Sequence, residues 1–209
     1  MSARRSKKRE LIVQHALIEF SEKSYEEASI NQIIHQSQSS KGAFYHHFND
    51  KLVLYLTVLK EAAEAKRAYV ESRLTEAAHD IGKMDIFESF KLQAKLGFDF
   101  ATDHPVYDRL IRMLMKEKSE AAVQAVRQKL QVDLNVQLNA MIQDGIDRGE
   151  LRSDLPQDFL VRVISYMLAG FNNLFVPGEE QDKDEVMSNL DRYIDLLNET
   201  FRASPSLDT

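Results

Sequence analysis

Residues 28–34, ASINQII, and residues 39–51, SSKGAFYHHFNDK, decide the fold of this chain. In the first stretch, Ser29 can accept a hydrogen bond from a free backbone N–H, and the three isoleucines after it fall on one buried face. The polar residues 37–39 cannot continue that face. The first stretch therefore predicts a short capped helix that ends in a turn.

The second stretch predicts another short helix, with one buried and one exposed face. Ser40 caps its start, and Phe44 and Phe48, four residues apart, point to the core. The side chains left to point outward are those of Lys41, Tyr45 and His46. Two helices joined in this way form a helix-turn-helix, which presents its second helix to the major groove of DNA.

These residues resemble the DNA-binding head of TetR-family transcriptional regulators, whose signature is a capped helix, a turn, Ser-Lys-Gly-x-Phe-Tyr-x-His-Phe and a lysine three residues on. The positions that match here are Ser40, Lys41, Gly42, Phe44, Tyr45, His47, Phe48 and Lys51. The resemblance implies an all-α fold, with a three-helix DNA-binding head at 1–51 and a ligand-binding and dimerisation body of about six helices at 52–209.

The turn departs from the family pattern at Gln38, where glycine is usual. A left-handed backbone costs a residue other than glycine about 1 kcal/mol. We therefore expect this turn to be built differently, with Ser39 free to face a phosphate.

The composition is that of a compact helical protein without a membrane span. The chain has 209 residues, of which 44% are apolar, and no cysteine, which excludes disulfides and zinc–thiolate sites. No apolar run approaches the roughly 18 residues of a membrane helix, and the N-terminus lacks the apolar segment of a signal peptide. We expect a bacterial cytoplasmic protein that is associated with the nucleoid when it is bound to DNA.

The charge is divided unevenly along the chain. Residues 1–60 carry 9 Lys and Arg against 6 Asp and Glu, whereas the rest carries 18 against 27. A basic head on an acidic body directs the head toward DNA. The first residues form either a solvated tail or an arm that follows the phosphates or enters the minor groove. The residues of this arm are Arg4, Arg5, Lys7 and Lys8.

Side chains around the second helix divide into two kinds of DNA contact. Those predicted to contact phosphates, which set register and orientation, are Ser29, Ser39, Ser40, Tyr45, His47 and Lys51, with Asn31 as an addition. Lys41, Ala43 and His46 are placed to meet base edges, where a lysine can donate to guanine and an alanine can contact a thymine methyl. Gly42 keeps the start of the helix slim enough for the backbone to approach DNA.

The helix predicted at 154–176 carries an apolar stripe that is wider than one packing face needs, and the last helix, at about 182–202, carries a clean apolar stripe. Two such helices from each of two chains would form a four-helix interface with two-fold symmetry, which is the dimer contact of the family. The interface predicted on this basis contains Leu160, Val163, Ile164, Met167, Phe171, Leu174, Leu190, Ile194, Leu197 and Phe201.

The resemblance also implies a small-molecule pocket among the body helices. Apolar side chains and one amide predict its lining, at Phe98, Tyr107, Met113, Met167, Phe171 and Asn172, although each apolar residue fits an ordinary core equally well. A mostly apolar lining favours a hydrophobic or amphipathic ligand.

The function that follows is a homodimeric repressor, released from a palindromic DNA operator by a small-molecule effector. The alternative is an architectural or nucleoid-binding protein, or an activator, without an inducer. An enzyme is not expected, because the chain has no nucleophile–base pair, no glycine-rich phosphate loop and no metal-ligand spacing. Adjacent His46 and His47 diverge by about 100° on a helix and do not easily chelate one ion, so no metal or cofactor is expected.

Overall fold

The computed structural model describes residues 2–76, 84–175 and 182–203, with side chains described throughout except at 2–6, 76, 130–137, 172 and 173. The described residues form nine α-helices: α1 (Ser2–Glu22), α2 (Ile30–Gln36), α3 (Lys41–His47), α4 (Lys51–Glu76), α5 (Ile86–Asp103), α6 (Pro105–Met115), α7 (Glu120–Asp147), α8 (Gln157–Phe175) and α9 (Lys183–Phe201). Within these ranges, Leu151 and Arg202 form an isolated antiparallel β-bridge. The all-α fold predicted from the sequence is confirmed.

The chain divides into two compact units, each discontinuous in sequence. The first comprises Met1–Tyr69 and Asp99–Gln131, and the second comprises Val70–Phe98 and Val132–Thr209. Three helices, α4, α5 and α7, therefore contribute one part to each unit. The functional boundary after residue 51 stays a prediction.

The core of the first unit is built on one face of α1. Ile12, Val13, Ala16 and Phe20 are buried there, at the spacing of a helix face. The same core takes in side chains from α2, the α3 region, α6 and α7, including Ile33, Ile34, Phe44, Phe48, Leu110 and Ala122. The helix-turn-helix is thus packed against α1 in a single core.

The core of the second unit forms between α5, α8 and α9. The buried stripe of α9 consists of Val186, Leu190, Ile194, Leu197 and Phe201. It packs with Ile86, Phe87 and Phe90 of α5 and with Leu160, Ile164 and Phe171 of α8. Polar contacts tie the same helices, since Lys91 Nζ lies 2.8 Å from Asp195 Oδ1 and the Tyr193 hydroxyl donates to the Met167 carbonyl at 2.7 Å.

The helix ends follow the capping residues in the sequence. Ser29 Oγ accepts from the Gln32 amide at 3.4 Å, Ser40 Oγ from the Ala43 amide at 3.1 Å, and Asp50 Oδ1 from the Val53 amide at 2.8 Å. Gly149, with φ of 69°, follows α7 in the left-handed conformation that favours glycine. The caps predicted at Ser29 and Ser40 are confirmed.

Most residues predicted at the dimer interface are buried within the second unit of one chain. They are Leu160, Ile164, Phe171, Leu190, Ile194, Leu197 and Phe201, while Val163 and Met167 are half-buried against the same core. Leu174 is 65% exposed. The stripe that predicted the interface is therefore mostly the chain's own core, and a partner could reach it chiefly at Leu174.

Crossing a bilayer requires a long apolar helix, and none occurs within the described ranges.

Candidate nucleic-acid interface

The helix α3 buries one face and leaves a polar face open. Phe44 is completely buried, and its ring centroid lies 5.8 Å from that of Phe48. On the other side Lys41 and His46 are exposed, and Tyr45 is 55% exposed. The outward face predicted from the sequence is therefore present.

The other predicted DNA-contacting residues lie around this face with different accessibility. Asn31, Ser40 and Gly42 are exposed, whereas Ser29, Ser39, Ala43, His47 and Lys51 are half-buried. A Cβ added at Gly42 would meet nothing closer than Ser40 Oγ, at 4.0 Å. The fold leaves room for a side chain at this position, and glycine keeps the backbone open to an incoming molecule.

The turn between α2 and α3 is left-handed at Gln38, where φ is 50°. The Gln38 amide donates to the His35 carbonyl at 3.1 Å, and the Ser39 amide donates to the Ile34 carbonyl at 3.0 Å. The expectation that a missing glycine changes the turn is wrong, because these bonds hold glutamine in the conformation that glycine usually takes. The Ser39 hydroxyl donates to the Ser37 carbonyl at 3.4 Å, and the Ser39 side chain is half-buried.

The strain at this turn gives the first testable prediction. Replacing Gln38 by glycine should raise the free energy of unfolding by about 0.5–1 kcal/mol, because a left-handed backbone is free of Cβ strain only in glycine. Urea denaturation of the full chain measures the change. Gly149→Ala is the control of opposite sign, because it should lower the free energy of unfolding by about 1 kcal/mol. A destabilised Gln38→Gly variant would show that the side chain stabilises the turn by contacts that outweigh the strain.

The buried carboxylate of Glu19 was not predicted from the sequence. Glu19 is 3% exposed, and its Oε1 accepts from the Ser29 amide at 2.9 Å and from Lys23 Nζ at 2.8 Å. It therefore fixes the residue that caps α2 to the end of α1. The available signal was an acidic residue next to Phe20 on the apolar face of α1, since charged groups are buried only with partners.

Lys51 is held by the loop that precedes α2. Its Nζ donates to the Glu26 carbonyl at 3.0 Å and lies 5.0 Å from the centroid of the Tyr25 ring. Burial lowers the pKa of Lys51, while the carboxylates of Glu19, Glu26 and Glu117 act in the opposite direction. Its predicted phosphate contact would therefore be made from a lysine that is already anchored.

The basic N-terminal residues belong to a helix. α1 begins at Ser2, so Arg4, Arg5, Lys7 and Lys8 lie in its first two turns, and their contact with DNA stays a prediction. Lys7 and Lys8 are exposed, and the side chains of Arg4 and Arg5 lie outside the described residues. Arg9, next in sequence, pairs with Glu61 at 2.9 Å.

The residues predicted to bind a ligand are split between the two units. Tyr107 and Met113 belong to the first unit, and Phe98, Met167 and Phe171 belong to the second; the Asn172 side chain lies outside the described residues. Of this set, Tyr107 lines a cleft of about 170 Å³ in the first unit, together with Glu10, Val13, Gln14, Leu17, Val58 and Glu61.

The DNA-binding head of the chain matches a known protein family. Residues 12–58, which run from α1 through the helix-turn-helix into α4, match the bacterial regulatory proteins of the tetR family. The DNA-binding head is of the TetR family. The chain is 27% identical, over 201 residues, to the HTH-type transcriptional repressor AcnR of Corynebacterium diphtheriae, with 95% of this chain and 94% of the relative covered.

Solved structures share this fold over most of the chain. A TetR family transcriptional regulator from Chloroflexus aurantiacus superposes with a TM-score of 0.66 at 19% identity, covering 95% of each chain. The regulator FadR from Bacillus subtilis, solved in complex with stearoyl-CoA, gives a TM-score of 0.69 at 18% identity, covering 90% of this chain and 96% of that one. These structures support the all-α fold, while the TetR-like head and the similarity to AcnR identify the chain as a DNA-binding transcriptional regulator.

Proposed function

We propose that this TetR-family protein is a homodimeric repressor that binds a palindromic operator in the bacterial nucleoid and leaves it when a small molecule binds. The observation that carries the proposal is the exposed face of α3. The opposite face of this helix is anchored in the core of the first unit by buried Phe44. From this face Lys41 can donate to a guanine and Tyr45 can donate to a phosphate. Repression is supported by the similarity to AcnR, which is named a transcriptional repressor.

The dimer is supported by an exposed apolar face on α8. Phe159, Tyr166 and Leu174 are spaced seven and eight residues apart, so they lie along one side of the helix. Tyr166 is 82% exposed, and Leu196 of α9 is also exposed. A row of large apolar side chains on two helices that already form one core is a surface that a second copy of the chain can cover.

The effector is proposed to carry an apolar chain. Phe98 and Met167 are half-buried apolar side chains of the second unit, and FadR of Bacillus subtilis was solved with stearoyl-CoA. To release a fully bound operator, the effector must favour the released state by about 5.5 kcal/mol. A panel of acyl-CoA and free fatty acids that leaves operator affinity unchanged would remove this part of the proposal.

The experiment that tests DNA binding is selection of bound sequences from a random duplex pool at a fixed, near-physiological salt concentration. A single palindromic motif with half-sites one helical turn, about 34 Å, apart is the expected result for a two-fold dimer. Enrichment without a motif would favour an architectural protein that reads shape and charge instead.

A pair of substitutions on α3 separates base reading from phosphate contact. Lys41→Ala should change the base preference at one position of each half-site and cost about 1–3 kcal/mol there. Tyr45→Ala should weaken binding to all sequences alike. Repeating the selection with each variant and measuring affinity at several salt concentrations checks both. An even loss across sequences for Lys41→Ala would contradict its proposed role.

A further inference from the structure

The loop of residues 23–29, which we call the α1–α2 loop, leads directly into the helix-turn-helix. It is contacted by Glu117 on one side and by residues of α4 on the other. Its last residue, Ser29, caps α2. Within the loop the Ala28 amide donates to the Ser24 carbonyl at 3.0 Å, and Glu27 accepts from the Ser24 hydroxyl at 2.6 Å. The position of this loop therefore sets where α2 begins.

One carboxylate joins this loop to the start of α7. Glu117 Oε2 accepts from the Tyr25 amide at 2.7 Å. Glu117 Oε1 accepts from the Lys118 amide at 3.0 Å and from the Ser119 amide at 2.8 Å, just before the first turn of α7. The two oxygens thus serve two different elements, which lie 92 residues apart at the Tyr25 bond.

Tyr25 is also held from the side of α4. The ammonium group of Lys51 lies over its ring, and the ring centroid of Tyr55 lies 5.2 Å away. Burial raises the pKa of the Tyr55 hydroxyl, with a further contribution from the Glu117 carboxylate. Tyr25 is consequently fixed between the first turns of α4 and the start of α7.

We propose that Glu117 is a positioning residue for the DNA-binding head, which transmits displacement of the first turn of α7 to the α1–α2 loop and so to α2. The link consists of the Tyr25 bond on one oxygen and the bonds from the Lys118 and Ser119 amides, just before α7, on the other. It rests on the proposed function, because it gives the means by which an event in the body changes the head.

The geometry requires a glutamate at this position. Glutamine has one acceptor oxygen, so it can serve either Tyr25 or the start of α7. Aspartate is shorter by one methylene, so it can keep the bond from the Ser119 amide, two residues away in sequence, while it loses the bond from the Tyr25 amide. Glu117→Asp therefore separates the link from the stability of α7.

The first measurement uses the free full-length protein and does not depend on DNA. In Glu117→Asp the Tyr25 amide should exchange with solvent about tenfold faster, as expected for loss of a hydrogen bond to a charged acceptor, while the Val123 amide should change by less than about twofold. NMR-detected hydrogen exchange resolves both. Unchanged exchange at Tyr25 would overturn the proposal. If Glu117→Asp does not fold, Glu117→Gln is the substitute, and it should accelerate exchange of either the Tyr25 amide or the Val123 amide, but not of both. Acceleration of neither amide would also overturn the proposal.

The second measurement adds a duplex obtained from the selection. In the wild type, DNA should slow exchange in α3 and also in the first turns of α7; in Glu117→Asp it should slow exchange in α3 alone. Ser24→Ala is the matched control, because it weakens the contact with Glu27 in the same loop without touching α7, and it should behave as the wild type. Slowing in α7 that persists in Glu117→Asp, or that is missing in the wild type, would overturn the link. Failure of every duplex to slow exchange in α3 would instead contradict the proposed function, and the first measurement would still decide whether Glu117 holds Tyr25.

Discussion

Replacing Phe44 by alanine is expected to lower the free energy of unfolding of the first unit by about 3–5 kcal/mol. Phe44 is completely buried, and its ring contacts those of Tyr45 and Phe48, with centroids at 5.2 and 5.8 Å. Its removal leaves a cavity under the helix that carries the candidate DNA contacts. Urea denaturation of the full chain, followed through hydrogen exchange of first-unit amides, measures the loss separately from the second unit.

Tyr45→Ala is the matched control on the same helix. Because Tyr45 is 55% exposed, its loss should cost less than about 1 kcal/mol in stability. Both variants should bind duplex DNA poorly, but only Phe44→Ala should also unfold at lower urea concentration. A Phe44→Ala protein of wild-type stability would show that the core of the first unit collapses around the missing ring.

Replacing Tyr166 by glutamate is expected to dissociate the proposed dimer. Tyr166 is the most exposed of the large apolar residues on α8, and a carboxylate placed in the middle of an apolar interface must lose its hydration. The dimer dissociation constant should rise by about 100-fold or more. Analytical ultracentrifugation across a concentration series measures this change directly.

Ile111→Glu is the control for Tyr166→Glu, because Ile111 is an exposed apolar residue of the first unit. It should leave the dissociation constant unchanged. Loss of the dimer should also reduce affinity for a two-half-site operator far more than affinity for a single half-site. A Tyr166→Glu protein that remains dimeric would place the interface on another surface.

Local chemistry made much of the fold predictable. Ser29, Ser40 and Asp50 cap helices through amides three residues away, and such contacts depend on sequence spacing alone. Gly149 ends α7 for the same local reason. The turn at Gln38 shows the limit of local reasoning, since backbone bonds to α2 outweigh the preference of one residue.

Contacts between distant segments could not be predicted in this way. Glu19 and Glu117 bind amides in the α1–α2 loop, and nothing in their neighbouring sequence indicates that loop as a partner. The interface prediction on α8 met a related difficulty. Periodicity identifies apolar positions, but it cannot tell a side chain that packs within its own chain, such as Ile164, from one that is left exposed, such as Tyr166.

The composition of the first unit bears on how such regulators can be recombined. Leu110 and Ala122 are fully buried in the same core as Ile12 and Phe44, although they lie far along the chain. A chimera that takes only its first 51 residues from a relative would place new side chains against the unchanged Leu110 and Ala122. The core of the first unit would then be poorly packed. An exchange that carries Asp99–Gln131 together with Met1–Tyr69 keeps these partners together. An exchange that preserves the packing of the helix-turn-helix must therefore include a segment from the middle of the gene.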